Sequence, residues 1–228
     1  MIKKFCTRHD LDIDLALRVA EHLETDISLN GYATAVVSGG RTPIGFFKRL
    51  AEQDIAWDRV SITLADERWV DASHSDSNER LVRKNLLTQR AAIASFIPLK
   101  NKAPSAQEGQ KELAIRLKQV GMFSAVVLGM GDDGHTASLF PGIANLERGL
   151  DMESGLDCLA TSPSAAPHER ITLTLPRLLR SSVVFVHLTG QSKLQMMGEV
   201  LAGRDIYEFP IRSVLQQKVT NLEIFYCD

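Results

Sequence analysis

Cysteine is scarce in this 228-residue chain, and Cys6, Cys158 and Cys227 are widely spaced with no Cys-x-x-Cys pair. That excludes a zinc ribbon, a thioredoxin-type redox centre and a disulfide-stapled scaffold. All three are expected to be small buried or neutral residues. Long apolar runs are also missing. Stretches such as Ala125 to Met130 fall far short of the roughly 18 residues that mark a membrane span, so no membrane partner is expected. Met1 to Cys6 is basic and briefly apolar, but Arg8, His9 and Asp10 follow at once, which leaves no room for the apolar stretch of a secretory signal. A cytoplasmic protein is the expectation. Charge of one sign is not in excess either: 26 Lys and Arg face 28 Asp and Glu, a formal net charge of −2. A nucleic-acid partner held by broad phosphate neutralisation is therefore not expected. No internal repeat or low-complexity linker is visible.

What is present is an ordinary globular composition, 44% hydrophobic and 24% charged, at a length that suits one α/β domain spanning 1–228. Ile13, Ala16, Leu17, Ala20 and Leu23 fall at helical spacing in a helix over Asp12 to Glu24, and Asn30-Gly31 supplies a stop. Tyr32 to Val37 reads as a strand, and helical periodicity returns at Ile44, Phe47, Leu50 and Ala51. Further strands are expected at Val60 to Leu64, Phe123 to Leu128, Ile171 to Leu173, Val183 to Leu188 and Leu222 to Tyr226. Further helices are expected at Asn78 to Leu87, Ser105 to Val120 and Gln191 to about Leu201. The near-continuous apolar strands suit a parallel sheet covered on both faces. Their alternation with helices predicts an α/β fold built on a mostly parallel sheet. Pro141 to Pro167 is the least periodic segment and the weakly marked place for any boundary.

Ligands of open α/β sheets bind beyond the carboxyl ends of the strands. Three polar clusters follow predicted strands and are expected to converge on one crevice: Ser38 to Pro43, Asp66 to Arg68, and Gly129 to His135. In the first, Gly39 and Gly40 let backbone approach a ligand closely, and Arg41, Thr42 and a helix start beside them make an anion site, most simply for phosphate. An ordinary tight turn is the bland alternative. It is not a nucleoside-triphosphate loop of the Gly-x-x-x-x-Gly-Lys-[Ser/Thr] kind. Gly129-x-Gly131-x-x-Gly134 formally matches a dinucleotide fingerprint, but Asp132 and Asp133 would place negative charge in a pyrophosphate cradle. Pro141 also leaves little room for the required helix. What remains is Asp133-Gly134-His135, a carboxylate two residues from an imidazole that it can orient and make more basic, as a general base requires. A capping Asp beside a surface His is the alternative.

Asp66, Glu67 and Arg68 offer two acids and a guanidinium, with Asp66 placed to orient Arg68 against a phosphate or an oxyanion, or else to form a structural ion pair. Lys193, just inside the helix after Gly190, could reach a phosphate at the same strand ends or simply be solvated. His74, His168 and Arg170 are further candidates. Asp66, His74, Asp133 and His135 are metal-capable residue types, but no His-Glu-x-x-His, His-x-His or cysteine cluster accompanies them, so neither a metal nor any other cofactor is expected. Gly-x-Ser-x-Gly is absent, so a hydrolysis here would use activated water and not a seryl intermediate.

These segments, taken in order, resemble the 6-phosphogluconolactonase family. The resemblance is carried by Ser38-Gly39-Gly40-Arg41-Thr42-Pro43, Asp66-Glu67-Arg68, Ser75-Asp76-Ser77-Asn78, the run from Leu128 through Asp133-Gly134-His135 to Ser138-Leu139-Phe140-Pro141-Gly142, and Thr189-Gly190-Gln191-Ser192-Lys193. It departs from the family pattern at Arg41, where Ser is frequent, and at His168, where a second proline is common. The resemblance implies a Rossmann-like, sugar-phosphate isomerase-type fold with helices on both faces of the sheet. It also implies a cofactor-free hydrolysis of 6-phospho-D-glucono-1,5-lactone to 6-phosphogluconate in the oxidative pentose phosphate pathway. His135, oriented by Asp133 or a nearby acid, would activate water, with Asp66 also among the catalytic residues. Arg68 and turn amides would stabilise the oxyanion, and Gly39, Gly40, Arg41, Thr42 and Lys193 would hold the phosphate with Arg170 as a third contributor, although spacing alone does not assign which cation meets the phosphate and which the carbonyl. Glucosamine-6-phosphate deaminases resemble the same fold, but they carry a glutamate where this chain has Phe140. Related non-catalytic sugar-phosphate sensors carry a DNA-binding module for which this chain has no spare segment.

Overall fold

The computed structural model describes residues 2–164 and 166–228. A short strand β1 (Ile2–Phe5) leads into helix α1 (Arg8–Asn30). Thr7 caps this helix by accepting from the Asp10 amide at 3.1 Å, which starts it four residues before the apolar periodicity does. Gly31, at φ +81°, ends it in the left-handed conformation that glycine adopts without penalty. Then come β2 (Ala33–Val37), α2 (Ile44–Ala51), β3 (Val60–Leu64), β4 (Asp66–Arg68), α3 (Asn78–Asn85), β5 (Ser95–Ile97), α4 (Ala106–Leu117) and β6 (Ala125–Leu128). The chain continues through α5 (Leu146–Leu150), β7 (Cys158–Thr161), β8 (Arg170–Leu173), α6 (Leu175–Leu179), β9 (Val183–Thr189), α7 (Gln191–Ala202), α8 (Ile211–Leu215) and β10 (Asn221–Cys227). Among the described residues, no helix is long and apolar enough to cross a membrane.

Seven strands form an all-parallel sheet in the order β1-β10-β9-β6-β2-β3-β5. Every residue of β2 and β6 is buried, so both faces of the sheet centre are covered, as its continuous apolar runs require. The core cluster runs unbroken from Leu11 to Cys227.

A second sheet, β4-β8-β7, is antiparallel, and the sequence did not announce it. Asp66 to Arg68, read as a polar tail after a strand, is itself a strand here, and Ile171 to Leu173 pairs with it and not with the parallel sheet. Ala65 joins the two sheets. Its amide donates to Val37 at 2.9 Å and its carbonyl accepts from the Leu173 amide at 2.8 Å. Of the three cysteines, Cys158 and Cys227 are buried as expected, whereas Cys6 is exposed.

Candidate active site

The chain leaves β2 toward β3 and β5 on one side, and later strands β6, β9 and β10 build the other side. The order therefore reverses between β2 and β6, and loops leaving the carboxyl ends of these two strands part from each other there, opening a crevice. That crevice, of about 200 Å³, is lined by the turn after β2, by Asp66 and Arg68, by the turn after β6, and by the end of β9 with Lys193. The three polar clusters do converge.

The turn after β2 is held from two sides. Ser38 donates its amide to Val127 of β6 at 3.1 Å, and the Arg8 guanidinium donates to the Thr42 carbonyl at 2.6 Å and the Arg41 carbonyl at 3.3 Å. Gly40 sits at φ +92°. Gly39 is required for a different reason, since a Cβ there would lie 1.9 Å from Asn78 Oδ1. Gly39, Gly40 and Thr42 line the crevice, but the Arg41 side chain is exposed and is not part of the lining. Its contribution to the turn is a backbone carbonyl.

The turn after β6 is closed by Gly131 donating to the His135 carbonyl at 2.8 Å and Gly134 donating to Gly131 at 3.2 Å. No helix starts at Gly134, which removes the dinucleotide reading. Asp133 Oδ1 lies 2.5 Å from His135 Nδ1 and also accepts the His135 amide at 3.1 Å. Burial works against the Asp133 charge, but the hydrogen bond to His135 and its neighbouring charge outweigh it and hold the carboxyl at about 2. Asp133 is thus an ionised partner that fixes the ring through Nδ1 and leaves Nε2 without a bond to it. The ring stacks on Phe140, with centroids 4.0 Å apart. A side chain able only to pack stands at the position where a deaminase would need an acid.

The antiparallel sheet supplies the cations. Arg68 and Arg170 are direct cross-strand partners. Like charges in that relation repel, and both side chains stand at the crevice wall, an arrangement that an anionic ligand would relieve. Arg170 is buried, its guanidinium over the Phe140 ring at 5.2 Å and its Nη1 3.9 Å from Asp66 Oδ2. Burial lowers its pKa and Asp66 opposes that. Arg68 Nη1 donates to the Asp76 carbonyl at 2.5 Å. The expectation that Asp66 orients Arg68 is therefore corrected. Asp66 Oδ2 accepts from Ser138 at 2.5 Å, the Asn78 amide reaches its carbonyl at 2.8 Å, and its ionic neighbour is Arg170. Glu67 is structural: buried, it accepts from the amides of Arg68, Asn78 and Glu79 and from the Ser77 hydroxyl, all within 3.0 Å, which pins α3 to β4.

Lys193 lies in the first turn of α7, lines the crevice, and its Nζ is 2.5 Å from Asp132 Oδ1. A further lining group escaped the sequence reading, as did Arg8, which holds the turn after β2 without lining the crevice. His187, at the end of β9, is buried deeply enough that its pKa falls to about 3, so it is neutral. It is the one polar residue in the apolar run Val183 to Leu188, and that is the signal that marks it. Arg8 carried no signal. Among the described residues, Ser38 Oγ, both nitrogens of His187 and the Nε atoms of Arg68 and Arg170 are buried without a hydrogen-bond partner, and these four residues line the crevice. So many unpaired polar atoms around one cleft suit a polyhydroxylated, anionic ligand. His74 and His168 are not in the lining.

Comparison with known proteins agrees with this architecture. Residues 7–223 match the family model described as glucosamine-6-phosphate isomerases/6-phosphogluconolactonase, and the chain belongs to that family. Within it, the chain is 40% identical over 213 residues to a 6-phosphogluconolactonase of Pseudomonas putida, covering 93% of this chain and 87% of that one. It superimposes on the crystal structure of a 6-phosphogluconolactonase from Shewanella baltica with a TM-score of 0.98 at 43% identity, covering 100% of this chain and 97% of the other. A monomeric glucosamine-6-phosphate deaminase shares the fold at a TM-score of 0.81 but only 14% identity, covering 99% of this chain and 96% of the other.

Proposed function

We propose that this protein hydrolyses 6-phospho-D-glucono-1,5-lactone to 6-phosphogluconate, the lactonase step of the oxidative pentose phosphate pathway, in the cytoplasm. One observation carries the residue-level reading: an ionised Asp133 fixes His135 within a cation-walled crevice at the strand-order reversal. His135 Nε2 takes a proton from water as the water oxygen attacks the lactone carbonyl. Arg68 and turn amides stabilise the tetrahedral oxyanion. The oxyanion then collapses, the bond from C1 to the ring oxygen breaks, and protonated His135 returns the proton to that oxygen, giving the open acid. The substrate phosphate lies against Gly39, Gly40 and Thr42 at the turn after β2 and against Lys193, with Arg170 as a third contact. Asp66, bound to Ser138 and close to Arg170, positions the cation wall and is not itself a proton carrier in this scheme. Phe140 favours hydrolysis over deamination, because it offers no acid or base beside His135.

The test is direct. Purified protein should accelerate formation of 6-phosphogluconate well beyond the spontaneous hydrolysis of the lactone, and should release no ammonia from glucosamine 6-phosphate. Lactone decay at the spontaneous rate, or ammonia release, would overturn the proposal.

A further inference from the structure

Outside the crevice, His74, Asp76 and His168 come together at the rim of the antiparallel sheet, with one ligand atom from each lying within 4.8 Å of the others. His168 Nε2 is 3.0 Å from Asp76 Oδ2, and the two imidazole rings stand nearly perpendicular with centroids 5.5 Å apart. We propose that this cluster is a binding site for a divalent transition-metal ion of the zinc class. Two neutral imidazoles and one carboxylate form a donor set that zinc favours, with the fourth position left to water. Tetrahedral bonds of about 2.1 Å place ligand atoms about 3.4 Å from one another, so small side-chain rotations close this cluster around an ion. The inference does not depend on the lactonase reading, and none of the three residues lines the crevice.

The frame is already assembled. Trp69 donates its amide to the Glu169 carbonyl at 2.7 Å, just beyond the paired Arg68 and Arg170, and this fixes the segment carrying His74 and Asp76 against the one carrying His168. His74 Nδ1 accepts the Asp76 amide at 3.1 Å, which orients the ring and leaves Nε2 as the ligand atom. His168 holds φ at +71°, a conformation uncommon for a residue with a side chain. Short-spaced ligand motifs cannot reveal this cluster, since Asp76 and His168 are 92 residues apart. The site adjoins the crevice through Arg68, whose guanidinium is held by the Asp76 carbonyl, so a bound ion would fix the segment that positions Arg68.

The experiment titrates metal-free full-length protein with Zn²⁺ by calorimetry and with Co²⁺ by visible absorption. The expected result is one ion per chain, a Co²⁺ spectrum of low coordination number, and a rise in melting temperature with Zn²⁺. His74→Asn keeps an acceptor for the Asp76 amide but removes Nε2, and His168→Asn keeps a residue that tolerates the left-handed backbone. Each should weaken binding by at least about 10-fold, since even outer-shell changes cost about 10-fold to 100-fold. Melting temperatures without metal check that both variants fold. No stoichiometric binding by the wild type would overturn the proposal. So would unchanged affinity in both folded variants, which would place the ion elsewhere, for example at Asp133 and His135.

Discussion

The two sheets contribute to the crevice in different ways. The parallel sheet ends in backbone-rich turns, where Gly39, Gly40 and Gly131 bring main chain and the His135 ring to the crevice, and it carries the Asp133 and His135 pair proposed for proton transfer. The antiparallel sheet contributes side chains from the strands themselves. Arg68 and Arg170 are positioned by strand register and held by Asp76 and Asp66. The Asp133 and His135 pair thus sits on a turn whose geometry is local, and the two arginines sit on a ladder whose geometry depends on residues a hundred positions apart. The contrast teaches that the two duties should fail separately when mutated.

The largest separation is expected at His135. His135→Ala should lower kcat/KM by about 10² to 10⁴ with the fold intact, the range for a lost general acid/base. Steady-state rates corrected for spontaneous hydrolysis measure this, and near-wild-type turnover would remove His135 from the mechanism. Next comes the ladder. Arg170→Ala should cost about 10-fold to 150-fold in kcat/KM for the phosphorylated lactone, corresponding to about 1.5 to 3 kcal/mol for a charge-assisted contact. Arg170→Lys should recover only part of it, because a point charge cannot reproduce the planar fork. Full recovery would reduce the role of Arg170 to charge alone.

Smaller effects test the turns as structure. Gly39→Ala drives a Cβ into Asn78, so urea unfolding should show a loss of about 1 to 3 kcal/mol. An unchanged midpoint would mean that the turn yields freely. The smallest effect concerns acid. The Asp133 carboxyl is held at about 2, below its ordinary 3.8, so its contribution to stability is complete above about 3.8 and is lost as pH falls toward 2. Asp133→Asn should therefore flatten the stability profile between pH 4 and 2. Parallel wild-type and variant profiles there would contradict the Asp133 to His135 coupling.

The same contrast explains what the sequence disclosed. Runs such as Val183 to Leu188 and Ala125 to Leu128 are apolar on both faces and long enough to announce buried parallel strands, and the glycine turns that follow them are local in the chain. The convergence of those turns followed from the rule for open sheets. The antiparallel sheet was opaque because β4 has three residues and reads Asp-Glu-Arg, a composition with no strand signal. β7 hid in the aperiodic stretch after Pro141, and β1 and β5 are short edge strands with partly exposed side chains. Partnerships were opaque for the same reason. The Asp66 pairing with Ser138 and Arg170, and the cluster of His74, Asp76 and His168, exist only once β4 and β8 are paired. Arg41 was overread because spacing cannot tell a side chain that lines a cleft from one whose carbonyl does the holding.

Proton transfer at His135 and the phosphate grip at Lys193 are proposed as separate functions of one crevice. The deciding measurement is kcat/KM for wild type, His135→Ala and Lys193→Ala on 6-phosphogluconolactone and on unphosphorylated gluconolactone, at one pH and ionic strength. His135→Ala should slow both lactones by the same large factor. Lys193→Ala should slow the phosphorylated lactone by about 10-fold to 150-fold and leave the other almost unchanged. Equal losses on both lactones from Lys193→Ala would contradict the claim and assign that lysine to the reacting carbonyl.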